Sequence, residues 1–429
     1  MIHGTLGRLL GWHAYSIPVF HLGLVFVALL LFAPRIREGE RQRALVLLCL
    51  ATFWPALLLL PTSFQEGLHI AVAVFLAGAL RPLFDGGDVS PTRRAVLLVV
   101  LATACLIRPS WGLLLPPALV LVVGAASWRR RVFAAASGVA LWAVLVLAFA
   151  YTAAPFGREG FFFIQAARRE QGAIALFTKA ATNAGRFAHA GTALEIRSRM
   201  LVLGLALAAG ALAWRARPRG ELAFHAYNLG SILLAILFTY VFGPWGDYRV
   251  FAAHLLLTLL LLATSPAVVS RRLAVLALLA QLASIGPFIE AFRSLAQSYV
   301  YEPARIDAFG TAARPALAFD ARQDAWCNTL VSVNPPYFHP EMVGLPPGLG
   351  VTMLFGTGEG RRPPLRSRYV LLDPDHPERW SLGTPAVTGR GTDQVRVSVG
   401  SWLLLDLKPL VRTPVGQLYE NLDAHCPGG

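Results

Sequence analysis

Apolar runs of about 17–23 residues recur from Tyr15 to Pro287, the length an α-helix needs to cross roughly 30 Å of hydrocarbon. Runs of this kind read as membrane-spanning helices. The composition agrees: of 429 residues, 55% are hydrophobic and only 14% charged, against about a quarter charged in a soluble globular chain. The expected fold is therefore an all-α polytopic membrane protein of about ten transmembrane helices with a small C-terminal extracytoplasmic α/β or β domain. The spans are read at 15–34, 44–61, 66–82, 95–108, 110–127, 132–152, 200–214, 221–243, 249–266 and 272–287. Residues 1–287 form the expected helical domain, with a long outer loop at 153–199, and residues 288–429 the soluble domain.

Arginines set the orientation. Short connections rich in Lys or Arg stay cytoplasmic, which selects "RIREGERQR" (35–43), "RPLFDGGDVSPTRR" (81–94), "WRRR" (128–131), "WRARPRGE" (214–221) and "SRR" (270–272). These alternate with arginine-poor loops, and the arginines of 153–199 do not break the rule because long loops translocate despite charge. The N-terminus, loop 153–199 and the tail are then expected outside. "MIHGTLGRLLGWHAYSIPVF" lacks a charged segment followed by an apolar core, so no signal peptide places it there. The expectation is either a missing earlier span with its outer loop, or a true N-out chain.

The hairpin between Arg94 and Arg129 gives each arm about 25 Å, short of a full crossing of about 30 Å. Its tip, "IRPSW" (107–111), is expected to be recessed on the outer side, with Arg108 facing a cavity rather than lipid. The outer tips thus collect Glu66 and His69, Arg108, and the Asp247, Tyr248 and Arg249 of "GPWGDYRVF". Carboxylates beside arginines at a membrane boundary suit acid–base work next to a bound phosphate. Each residue also has a plain structural reading. Glu66 suits the dipole of a helix start, Asp247 and Arg249 suit an interfacial ion pair, Arg108 can snorkel to headgroups, and His69 can be a packed helix residue. A metal at His69 needs a third or fourth ligand, which this stretch does not supply. Loop 153–199 mixes aromatics with Arg168, Arg169 and other cations; it reads as an interfacial segment drawn to anionic headgroups or a lid over a lipid phosphate, with a helix at about 173–189.

The net charge of +14 is nearly all arginine, with Lys179 and Lys408 the only lysines. A basic groove interleaved with aromatics, which nucleic-acid binding requires, is missing from the pattern. "GTGEGRR" (356–362) lacks the lysine-serine ending of a phosphate loop, so no nucleotide cofactor is expected. Cys49 and Cys105 lie in apolar runs and read as packing residues. Cys327 and Cys426 lie in the tail, where an extracytoplasmic setting would let them pair; the sequence leaves the pairing open. The tail is rich in Pro and Gly, and the runs "NTLVSV", "GVTMLF", "RYVLLD", "VRVSVGSWLLLDL" and "GQLYENL" read as strands.

Four stretches carry a family likeness: "HGTLGRLLGWHAYSIPVFHLGLVF", "WPALLLLPTSFQEGLHIAVAVFLAGALRP", "RRAVLLVVLATACLIRPSWGLLLPPALVL" and "GDYRVFAAHLLLTLLLL". From about His3 to Leu262 the organisation resembles the GT-C superfamily of integral-membrane glycosyltransferases, in the protein mannosyltransferase-like and aminoarabinose transferase-like group. The resemblance implies a polyprenyl-phosphate-linked sugar donor and transfer to a glycan, lipid or protein acceptor. It places the reaction on the outer face of a bacterial inner membrane, often with a divalent metal, for which His69 is the candidate ligand. It makes Glu66 and Asp247 catalytic candidates. Arg108, Arg249, Tyr248, Arg168 and Arg169 become candidates to bind substrate. The first span and first outer loop of that group have no counterpart here. Two other classes stay open: a transporter or flippase for lipid-linked sugars, which would want ionisable groups near the bilayer midplane, and a non-catalytic membrane scaffold.

Overall fold

A computed structural model describes residues 16–36, 39–60, 66–124, 127–152, 172–189, 193–216, 219–239, 247–296 and 303–324, and in the tail 326–332, 345–346, 349–353, 367–372, 385–390, 394–399, 403–414, 416–424 and 426. Two compact units divide the chain: His21–Phe292, and Arg293–Gly429 with Met1–Phe20.

The first unit is helical, beginning within its first helix at His21 and ending within its last at Phe292. Its elements are α1 (Ser16–Phe32), α2 (Glu40–Ala51), α3 (Trp54–Leu59), α4 (Glu66–Phe84), α5 (Pro91–Ile107), a 3-10 turn (Pro109–Leu114), α6 (Leu115–Val123), α7 (Trp128–Thr152), α8 (Gly172–His189), α9 (Ala193–Arg215), α10 (Arg219–Thr239), α11 (Asp247–Ala263), α12 (Val268–Leu282) and α13 (Ile285–Ala296). Among the described residues, four helices are long and apolar enough to cross a membrane: Glu66–Phe84, Trp128–Phe149, Ala193–Arg215 and Arg219–Phe238. A fifth crossing results if α12 and the start of α13, bent by 50° at their junction, act as one. Pro18–Phe32, Pro109–Val123 and Phe251–Ala263 are apolar but shorter.

Length alone therefore does not reach the expected ten, and one expected span is broken for a local reason. The run 44–61 splits at Thr52 and Phe53, because Pro55 lacks an N–H and cannot continue a helix from below. The break at Arg108–Pro109 falls at the expected hairpin tip, since a residue before proline is driven out of the α region. Large apolar side chains face outward as well as inward: Phe26, Leu30, Phe133, Val144 and Leu207 are all exposed. A helix apolar all round is the kind that needs an apolar surrounding.

Close helix approaches hold the unit together. A Cβ on Gly138 of α7 would lie 2.5 Å from the Pro116 Cα of α6, so these two helices touch backbone to backbone. Arg94 closes the base of the α5–α6 hairpin, donating to the Val89 carbonyl at 2.9 Å and the Val122 carbonyl at 3.0 Å. Gly124 then ends α6 in a left-handed conformation (φ 58°), which a residue without Cβ adopts freely.

In the second unit a seven-stranded mixed sheet has the order β2-β1-β3-β7-β6-β5-β4. Its strands are β1 (Thr329–Ser332), β2 (Gly350–Met353), β3 (Tyr369–Leu372), β4 (Pro385–Arg390), β5 (Gln394–Val399), β6 (Leu403–Thr413) and β7 (Gly416–Asn421). β1 pairs in parallel with β2 and β3, and the remaining pairs are antiparallel. The helix α14 (Pro303–Ala313) buries Phe309 and Ala313 with Leu330, Leu371 and Leu418 of the sheet. Cys327, just before β1, and Cys426, beyond β7, form a disulfide across 99 residues of sequence.

Candidate functional site

Arg108 stands at a break that Pro109 imposes. Its backbone is extended (φ −141°, ψ 109°), and the chain leaves α5 there for the 3-10 turn. Trp142 of α7 steadies that turn, its Nε1 donating to the Pro109 carbonyl at 3.2 Å. So released from the helix, the Arg108 guanidinium reaches the start of α4, where Nη2 donates to Glu66 Oε1 at 2.9 Å. The side chains are 17% and 8% exposed, so this is a desolvated, charge-assisted bond rather than a surface pair. Arg249, in the first turn of α11, sits near enough for its charge to act on the same carboxylate. Arg108 Nη1 is buried and meets no acceptor among the described residues.

His69 lies one turn along α4 from Glu66 and is 1% exposed. Trp111 Nε1 donates to its Nδ1 at 3.0 Å. Trp111 in turn stacks on His254 of α11, ring centroids 4.6 Å apart. His254 Nδ1 donates to Asn228 Oδ1 at 2.8 Å, and its Nε2 accepts from Ser110 Oγ at 3.3 Å. Asn228 Nδ2 donates to the His254 carbonyl and to Thr258 Oγ1, both at 3.0 Å. An amide whose NH2 is used in this way turns its oxygen to the imidazole, which fixes the His254 proton on Nδ1. A buried polar chain thus links α10, α11, the 3-10 turn and α4.

The family likeness implies a divalent metal, for which His69 is the sequence candidate. His69 Nδ1 is taken by the Trp111 indole and Glu66 Oε1 by Arg108. Among the described residues no group of three or more His, Cys, Asp or Glu is arranged to hold a metal ion, where a protein zinc site takes three or four protein ligands.

Of the sequence candidates, Glu66, Arg108 and Arg249 come together, with His69 beside them. Asp247 and Tyr248 open α11, but their side chains lie outside the described residues, as do Arg168 and Arg169 altogether. Trp111, Asn228, His254 and Thr258 were not candidates. The signal for Asn228, His254 and Thr258 is polar residues inside apolar runs, in "HAYNLGS" and "FAAHLLLT", which in a spanning helix mark functional interiors.

Compared with protein-family models, curated proteins and solved structures, the chain matches none.

A second buried polar cluster occupies the other end of α4. Arg81 Nη1 donates to Glu221 Oε1 at 3.0 Å and to the Leu261 carbonyl at 3.2 Å, and Arg81 also pairs with Asp85 at 2.8 Å. Ser265 Oγ donates to Glu221 Oε2 at 2.9 Å. Because Arg249 neighbours Glu66 while Leu261 meets Arg81, α4 and α11 run parallel. Glu221 and Asn228 place α10 antiparallel to both. Glu66, Arg108 and Arg249 therefore share one end of the bundle, and Arg81, Glu221 and Ser265 the opposite end.

Proposed function

We propose that the chain is a membrane glycosyltransferase that moves a sugar from a polyprenyl-phosphate donor to an acceptor hydroxyl at the outer face of a bacterial inner membrane, with about ten helices crossing and the tail outside. One observation carries this reading: Arg108 binds Glu66 through Nη2 and keeps a buried Nη1 donor, with the Arg249 charge alongside. Two guanidinium groups at one end of an apolar bundle suit a phosphate headgroup delivered by a lipid tail. The Cys327–Cys426 disulfide supports an oxidising compartment for the tail.

In the proposed reaction the acceptor oxygen attacks the anomeric carbon and the bond from that carbon to the phosphate oxygen breaks. Polyprenyl phosphate leaves with the electron pair, inverting the sugar. Arg108 and Arg249 stabilise the charge that builds on the phosphate, and Glu66 accepts the hydroxyl proton. The acceptor is a glycan, lipid or protein.

A transporter of lipid-linked sugars is the second reading. It is favoured by the Asn228–His254–Thr258 group, which lies part-way along α10 and α11 rather than at an end. To separate the two, transfer of labelled sugar from polyprenyl phosphate is assayed in membranes carrying Glu66→Gln or Arg108→Ala. Transfer reduced by about 100-fold or more supports the enzyme. Unchanged transfer by both variants removes the site, and sugar-lipid translocation without transfer selects the transporter.

A further inference from the structure

We propose that His69 is a neutral imidazole locked with its proton on Nε2, and that this N–H completes the phosphate site begun by Arg108, with Trp111 as the positioning residue that sets the lock. The inference rests on the phosphate-site reading above and goes beyond it by giving His69 a role other than metal ligation and Trp111 a role at all.

The lock follows from donor chemistry. An indole N–H can only donate, and Trp111 Nε1 lies 3.0 Å from His69 Nδ1. Were Nδ1 protonated, two donors would face each other in a buried place, so Nδ1 is the acceptor and the ring carries its proton on Nε2. Trp111 cannot turn away, because it is fully buried and stacked on His254. His254 is itself fixed by Asn228 and Ser110. The tautomer of His69 is thus dictated from α10, through three side chains.

His69 Nε2 is buried and meets no acceptor among the described residues. An N–H left so is costly to bury, and the same holds for Arg108 Nη1 close by. Two buried donors, one of them cationic, beside the second cation Arg249 call for one ligand rich in acceptor oxygens and negatively charged. A phosphate monoester or diester meets that description, whether it arrives on a polyprenyl chain or free. The histidine adds a neutral, directional donor to a site whose other donors are charged, which orients the headgroup instead of merely attracting it.

The test uses the full chain in nanodiscs, with polyprenyl phosphate as probe and inorganic phosphate in a parallel arm. Glutamine carries its side-chain nitrogen where histidine has Nε2, whereas asparagine reproduces Nδ1. His69→Gln is expected to bind polyprenyl phosphate within about threefold of the native chain, and His69→Asn and His69→Ala about tenfold more weakly. Nitrogen-15 NMR of labelled histidine is expected to show His69 as the Nε2–H tautomer, with the Nε2 proton shifting on addition of the lipid. Trp111→Phe, which keeps an aromatic ring but removes the N–H, is expected to leave a tautomer mixture and weaker binding. An Nδ1–H or doubly protonated His69 in the native chain, or equal binding by all the His69 variants, overturns the proposal. Arg108→Ala separates the layers. If it binds normally, the phosphate-site reading fails; if it loses binding while the His69 variants keep it, only the His69 inference fails. Displacement of the lipid by inorganic phosphate supports recognition of the headgroup alone. Failure to displace, with the Nε2 shift intact, supports recognition of the lipid-borne phosphate.

Discussion

Glu66 and Arg108 meet at 2.9 Å although 42 residues separate them in the chain. Neither could be there by helix geometry alone. Glu66 begins α4, and Arg108 reaches it only because Pro109 throws the backbone out of α5. A sequence feature that breaks one helix thereby supplies the counter-ion of another.

Removing one member of this pair leaves a buried charge uncompensated. Arg108→Ala is expected to destabilise the unit by about 3 kcal/mol, at the low end for a buried pair because the nearby Arg249 still acts on Glu66. The Glu66→Gln/Arg108→Gln double variant is expected to lose less than the sum of its singles, with a coupling of about 1–3 kcal/mol. Thermal unfolding in detergent of the native chain, both singles and the double measures it; additive losses would show that the two side chains are not energetically joined.

The Arg81–Glu221 pair is more deeply buried, with side chains 3% and 2% exposed. Arg81→Met alone is expected to cost about 3–5 kcal/mol, and Arg81→Met/Glu221→Leu to recover most of that loss, since an apolar pair of similar volume often replaces a buried ion pair at no net cost. Because Asp85 and Ser265 also bond within this cluster, recovery should fall short of complete. The same unfolding assay decides, and a double variant as unstable as Arg81→Met would argue against the pair.

Gly138→Ala is expected to destabilise by about 1–3 kcal/mol or more, because the new Cβ would sit 2.5 Å from the Pro116 Cα and 2.6 Å from its nitrogen, atoms of backbone that cannot swing aside. Gly204→Ala, which meets nothing within 4 Å, is the control: in mid-helix it should be neutral or stabilising by up to about 1 kcal/mol. Equal melting temperatures for the two variants would contradict the close packing of α6 and α7.

Cys327→Ser is expected to remove about 2–4 kcal/mol of stability from the sheet domain, since the bridge closes a loop of 99 residues and long loops gain most from closure. Limited proteolysis of the full chain should then cut the tail sooner, and a non-reducing gel should show faster migration for the native chain than for the variant. Identical proteolysis would mean that the bridge carries no stability.

Much of the architecture is legible in the sequence. Apolar runs located the helices, and the five strand-like runs of the tail correspond to β1, β2, β3, β5 with β6, and β7. β4, "PAVTGR", escaped because it has neither alternation nor an apolar run. Sorting arginine-rich from arginine-poor connections grouped Glu66 with Arg108 and Arg249, and the structure brings these together. The partnership of Arg81 with Glu221, 140 residues away, had no such cue: each looked like an ordinary charge in a connecting loop. The Trp111–His254–Asn228 chain was equally hidden, since its members belong to three segments and no local spacing relates them.

The two ion pairs lie at opposite ends of α4, roughly 22 Å apart at 1.5 Å rise per residue. A rod riveted at both tips cannot ratchet past its neighbours by one turn without snapping both fastenings together. α4, α10, α11 and the junction at Arg108 are therefore obliged to travel as a single block, and any opening of the bundle must fall between that block and the remaining helices.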